Sequence, residues 1–123
     1  MAKNYKILLV DDDPDFVKVI TRILQSKAYQ VISAGDGDEG LEKMRKEKPD
    51  LVLLDIMMPG MDGYIVADKI NSDPALSQIP VVALTSFTES LGAPFAFKVA
   101  EYLQKTVKPE RLLKTVAKHL TGK

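Results

Sequence analysis

The chain contains no cysteine, which excludes disulfide staples and thiolate metal sites. It has no excess of either charge: seventeen Lys and Arg balance seventeen Asp and Glu. It therefore lacks the overall electrostatic footprint of a nucleic-acid binder or an anionic-membrane binder. No apolar stretch approaches the ~20 residues a helix needs to span a bilayer. The opening residues, Met1-Ala2-Lys3-Asn4-Tyr5, lead straight into a strand-like run and carry no signal-peptide core. The expected compartment is the cytoplasm. There is no linker, internal repeat or low-complexity tract, so the 123 residues are expected to form a single domain, 1–123. A domain of this length buries roughly 65% or more of its unfolded surface and needs no staples.

What is present is an alternation of short apolar runs and amphipathic stretches. The runs are Tyr5 to Val10, Gln30 to Ala34, Leu51 to Leu54, Val81 to Leu84 and Val99 to Leu103. Ile7-Leu8-Leu9-Val10 and Leu51-Val52-Leu53-Leu54 are apolar at every position, as in strands covered on both faces by helices. Asp13 before Pro14 reads as an N-cap followed by Pro at the first helical position. Phe16, Ile20, Ile23 and Leu24 then form one apolar stripe. Asp36 or Asp38 starts a second helix with Leu41 and Met44 inward. Its Lys43-Arg45-Lys46-Glu47-Lys48 charges read as a solvated face. Asp62-Gly63 opens a third helix, which Asn71-Ser72-Asp73-Pro74 ends. The last helix begins at Pro109 and carries Leu112, Leu113, Val116 and Leu120. Strand then helix, five times over, implies an α/β fold with a doubly wound parallel sheet and right-handed crossovers. Gly92-Ala93-Pro94 interrupts the stretch Phe87 to Lys98, so the fourth helix is expected to be short or irregular.

Ligands of such sheets bind at the carboxyl ends of the strands. There the sequence places Asp11-Asp12-Asp13 after the first strand, Asp55 after the third, Thr85-Ser86 after the fourth and Lys105 after the fifth. Clustered carboxylates resist joint ionisation, and a hard cation such as Mg²⁺, which favours one or two carboxylates with waters and phosphate oxygens, removes the conflict. A carboxylate can also act as a nucleophile toward phosphorus, with Lys and hydroxyl donors holding the phosphoryl oxygens. The set contains what phosphoryl transfer to Asp55 needs. Helix capping explains Asp13, but not three acidic residues in a row with a fourth ending another strand.

These residues carry a resemblance. Ile7-Leu8-Leu9-Val10-Asp11-Asp12-Asp13-Pro14, Leu53-Leu54-Asp55-Ile56-Met57-Met58-Pro59-Gly60-Met61-Asp62-Gly63, Pro80-Val81-Val82-Ala83-Leu84-Thr85-Ser86 and Tyr102-Leu103-Gln104-Lys105 together resemble the response regulator receiver domain of two-component signalling. The resemblance covers essentially the whole chain. It implies a flavodoxin-like, five-stranded parallel sheet of order 2-1-3-4-5. It implies that Asp55 is the phosphoacceptor and also a member of the Mg²⁺ site, and that Asp12 binds Mg²⁺ directly, with Asp11 acting mainly through water and the Met57 main-chain carbonyl completing the protein ligands. Thr85 and Lys105 would contact the phosphoryl group, and Thr85 with Tyr102 would relay the switch. The implied donor is a sensor histidine kinase or a phosphotransfer protein. The implied readout is a shifted surface of the fourth helix, fifth strand and fifth helix, read by an unidentified output domain or partner protein. No nucleic acid or membrane is an expected partner of this domain, which would catalyse at most its own phosphorylation and dephosphorylation.

Two positions depart from the family pattern. The family usually has Lys-Pro after the fifth strand, with a cis bond; here Thr106 follows Lys105. A cis non-proline bond costs ~3 kcal/mol, so either the fold holds that strain or the loop takes a trans path. Lys108-Pro109 offers a rival register, but it sits too far past Tyr102, and Pro109 suits the first position of a helix. The second departure is Phe87 to Ala100, where the usual Gly-Ala-Asp approach to the fifth strand is missing. Phe87, Phe95 and Phe97 there read as a partner surface or as compensating core. By comparison with the family, the residues two after the acceptor and two after Thr85 flank the attacking water. They are Met57 and Phe87, neither of which orients water, so autodephosphorylation is expected to be slow.

Two other functions compete. An Asp-nucleophile phosphohydrolase on a similar sheet usually needs a second Asp two residues after the nucleophile, and Met57 stands there. A receiver that binds without taking phosphate is opposed by the intact acidic residues. His119 near a helix C-terminus reads as structural, and Met57, Met58 and Met61 as packing and loop residues.

Overall fold

A computed structural model describes residues 4–56, 63–85, 100–105 and 107–121. Its elements run β1 (Lys6–Val10), α1 (Pro14–Gln25), β2 (Gln30–Ala34), α2 (Gly37–Glu47), β3 (Leu51–Asp55), α3 (Gly63–Ser72), β4 (Val81–Thr85), β5 (Glu101–Gln104) and α4 (Pro109–Thr121). The five strands form one sheet of order β2-β1-β3-β4-β5, and every pairing is parallel. The helix expected within Phe87 to Lys98, the Met57 carbonyl and the Lys105–Thr106 bond fall outside the described residues.

The all-apolar runs fold as the central strands. β3 and β4 are buried at every position, and β1 at all but its first. Period-two alternation then sorts their side chains into two cores. Leu8, Val10, Val52, Leu54 and Ala83 face one layer, where Leu41, Met44, Val66 and Ile70 of α2 and α3 cover them. Ile7, Leu9, Leu51, Leu53, Val82 and Leu84 face the other, under Ile20 and Leu24 of α1 and Leu112 and Val116 of α4. Tyr102 packs against the first layer and Phe16 against the second.

Local chemistry sets the helix ends. The Asp13 carboxylate accepts from the N–H groups of Asp15 and Phe16, and Pro14 occupies the first turn. Of the two candidate starts for α2, Asp36 is the cap, accepting from Glu39 N–H at 2.8 Å. Glu39 in turn accepts from Gly35 N–H at 2.9 Å, a variant of the capping box. At its other end α2 stops at Lys48, whose φ is 48°. Pro49 disfavours right-handed helix at the residue before it. Gly40 brings α2 onto β1: a Cβ there would lie 3.0 and 3.2 Å from the two methyls of Val10.

Candidate functional site

The register places the acidic residues before any side-chain contact is considered. Val10 pairs with Leu54, so the next residues, Asp11 and Asp55, emerge level with each other from adjacent strands. Asp55 pairs with Leu84, and Thr85 lies one step beyond. Thr85 pairs with Gln104, and Lys105 follows it, its N–H held by Thr85 O at 2.7 Å. β1, β3 and β5 thus deliver two carboxylates and one ammonium to the same end of the sheet, with β4 between the last two. The same alternation turns Thr85 toward the α2 and α3 layer, the face on which Tyr102 packs.

Asp11 and Asp55 are each only 2% exposed and Thr85 is fully buried, while Asp12 is exposed. Carboxylate oxygens of Asp11, Asp12 and Asp55 all lie within 4.8 Å of one another. The Lys105 ammonium stands 3.0 Å from Asp11 Oδ2 and 3.3 Å from Asp55 Oδ2. Asp11 Oδ1 accepts from Asp13 N–H at 2.9 Å and from Lys105 Nζ at 3.2 Å. Asp11 Oδ2 is buried and, despite its closeness to the ammonium, has no hydrogen-bond partner among the described residues. Lys105 Nζ also lies 4.7 Å from the centre of the Phe16 ring.

Burial pushes the Asp11 carboxyl above its ordinary 3.8; Asp13 N–H and Lys105 pull it down, and the charge of Asp55 pushes it up again, leaving it raised. Burial disfavours the Lys105 ammonium, but its hydrogen bond to Asp11 and the charges of Asp11 and Asp55 outweigh that and hold it above 10.5. One ammonium therefore contacts two members of a three-carboxylate cluster. This donor set fits a hard divalent cation: clustered carboxylate oxygens, one of them buried without a hydrogen bond, with an exposed member open to water. A cavity of about 380 Å³ opens beside Asp11 and Asp12, bounded by Pro14, Lys18 and Gly35. A larger one, about 470 Å³, lies among Met44, Arg45, Pro49 and Ile79 and contains none of these groups.

Of the residues singled out in the sequence, Asp11, Asp12, Asp55 and Lys105 come together, and Thr85 and Tyr102 share the face behind them. Lys105, rather than Lys108, is the lysine at the acidic cluster. One participant reads differently from sequence alone: Phe16 belongs to the apolar stripe of α1 but also touches the site lysine. His119 lies outside the site and is structural, as its place near a helix C-terminus implies; its partner is Glu101 of β5, at 2.9 Å, with Lys118 of the same helix on the same oxygen at 3.3 Å.

Sheet order and site together define a doubly wound α/β domain with a buried acidic cluster and an ammonium at the carboxyl ends of its strands. Residues 7–117 match the response regulator receiver domain, and the chain belongs to that family. It is 36% identical to the protein PilH of Pseudomonas aeruginosa over 119 residues, 95% of this chain and 98% of PilH. It is 35% identical to the DNA-binding response regulator MtrA of Mycolicibacterium smegmatis, covering 94% of this chain but 50% of MtrA. Among solved structures, chemotaxis protein CheY4 of Vibrio cholerae superposes with a TM-score of 0.89 at 30% identity, over 96% of this chain and all of that one. The BeF3-activated N-terminal receiver domain of Klebsiella pneumoniae RstA gives 0.86 at 35% identity, over 94% and 98%. Receiver domains are phosphorylated by histidine kinases or phosphotransfer proteins. Among the described residues no helix is long and apolar enough to cross a membrane.

Proposed function

We propose that Asp55 accepts a phosphoryl group from a phosphohistidine and that the resulting acyl phosphate is the signal. A carboxylate oxygen of Asp55 forms the new P–O bond as the P–N bond breaks, and the departing imidazole takes up a proton. The observation that carries this reading is the buried Asp55 carboxylate at a strand end, with an ammonium 3.3 Å away and two more carboxylates within reach. Asp11, Asp12, Asp55 and the Met57 carbonyl would hold Mg²⁺, which when bound would offset the charge on the phosphoryl oxygens. Lys105 is aimed at the same oxygens, and its raised pKa keeps it charged across the physiological range.

Thr85 follows Asp55 in the pairing order and is the proposed hydroxyl donor to the phosphoryl group. Tyr102, two positions earlier in register and on the same face, is the proposed second half of the switch. Their movement would alter the surface built from the segment before β5, from β5 and from α4, where an output domain or partner protein reads it. The cytoplasm is the proposed compartment, since that is where sensor kinases present their phosphohistidine. The test is incubation with Mg²⁺ and acetyl phosphate followed by intact mass. One added phosphoryl group is expected, absent in Asp55→Asn and after chelation. No gain, or a gain unaffected by Asp55→Asn, rejects the reading.

A further inference from the structure

Lys105 makes three kinds of contact in this site: with Asp11, with Asp55 and with the Phe16 ring. The two carboxylates are the groups that metal binding and phosphorylation would engage. Among the described residues, the ring is the contact that those events leave in place. Its position is well determined: Phe16 lies in the first turn of α1, and its N–H donates to the Asp13 cap at 3.3 Å. The N–H of Asp13 in turn donates to Asp11 Oδ1 at 2.9 Å, so cap, ring and acidic loop are built as one unit. A centroid distance of 4.7 Å puts the ammonium within cation–π range of the ring face.

We propose that Phe16 is a positioning residue for Lys105: its ring is a platform that keeps the ammonium over the acceptor while the carboxylates exchange partners. The inference rests on the reading of Asp55 as phosphoacceptor. Lysine is a compact charge on a flexible stem and is not self-orienting, so a fixed π face supplies what the side chain lacks. The requirement is for an aromatic ring rather than for apolar volume, which separates this role from ordinary core packing.

The test compares wild type with Phe16→Leu, Phe16→Met and Phe16→Tyr in two measurements. The first is the ¹H shift of the Lys105 ε-methylene without phosphodonor or Mg²⁺, which an overlying ring moves upfield. The second is the rate of labelling by acetyl phosphate with Mg²⁺. The upfield shift is expected in wild type and Phe16→Tyr and lost in Phe16→Leu and Phe16→Met. Labelling is expected to slow about fivefold in the latter two and to stay near wild type in Phe16→Tyr. Equal labelling in all four, an ε-methylene shift indifferent to the substitution, or a Phe16→Tyr variant as slow as Phe16→Leu overturns the inference while leaving Asp55 as acceptor. A wild type that takes no label fails at the acceptor instead.

Discussion

At Lys105 a single ammonium lies 3.0 Å from Asp11 and 3.3 Å from Asp55, both nearly inaccessible to water. Like charges in such a place repel more strongly than at a surface. Removing the ammonium leaves that repulsion unbalanced, so Lys105→Ala should lower stability by about 1–3 kcal/mol in urea titrations without metal. Added Mg²⁺ should restore part of the loss; equal stability of variant and wild type would contradict the account. The acidic members of the site could be read from sequence because charge at the end of an all-apolar strand has few structural explanations. Phe16 could not, because an aromatic at helical spacing looks the same whether it fills a core or carries a cation. The pairing of Asp11 Oδ1 with Asp13 N–H, which leaves Oδ2 without a hydrogen bond, is a matter of side-chain rotation that no residue pattern encodes.

Among the elements, α2 is held to β1 at Gly40. Alanine there gains ~1 kcal/mol of helix propensity, but its Cβ meets both methyls of Val10, a stiff and buried side chain. Overpacking costs about 1–3 kcal/mol, so Gly40→Ala should be net destabilising, by about 1 kcal/mol, in thermal or urea unfolding. At the edge of the sheet, Glu101 joins β5 to α4 through His119 and Lys118. The His119 bond, aided by Lys118, lowers its carboxyl below the ordinary 4.5 despite partial burial. A depressed folded-state pKa contributes stability above the unfolded value and loses it as pH falls through the folded one. Glu101→Gln should therefore cost up to ~1 kcal/mol at neutral pH, and the difference from wild type should shrink below about pH 4.5. A pH-independent difference would assign the effect to packing.

Capping signals are local, so Asp13, Pro14 and Pro109 marked their helices correctly, and Asp36 was one of two candidates. The Glu101–His119 link joins residues 18 apart on different elements, and only the folded sheet brings them together. The left-handed turns at Ala28 and Lys48 lack the glycine that usually announces them; Pro49 is the one hint, at the second.

For the molecule as a whole, the parallel α/β class followed from the alternation of apolar runs and amphipathic stretches, whereas the order 2-1-3-4-5 followed from the family resemblance, and the sheet has that order. The course of the chain between β4 and β5 followed from neither, because Gly92-Ala93-Pro94 breaks the helical pattern there. The chain spans nearly all of PilH and about half of MtrA, relatives with very different amounts of sequence outside the receiver. A lifetime prediction belongs to this scale. Met57 and Phe87 offer no hydrogen bond to an attacking water, so the phosphorylated protein should lose its label slowly after removal of the donor. Rapid loss that persists after chelation, without added phosphatase, would contradict it.

The central claim is the identity of the acceptor, and reductive trapping reads it directly. Borohydride converts an aspartyl phosphate to homoserine, so protein treated with Mg²⁺ and acetyl phosphate and then reduced should show homoserine at position 55 on peptide mapping. Homoserine at Asp11 or Asp12 instead, or phosphate on a residue that borohydride leaves untouched, would contradict the account.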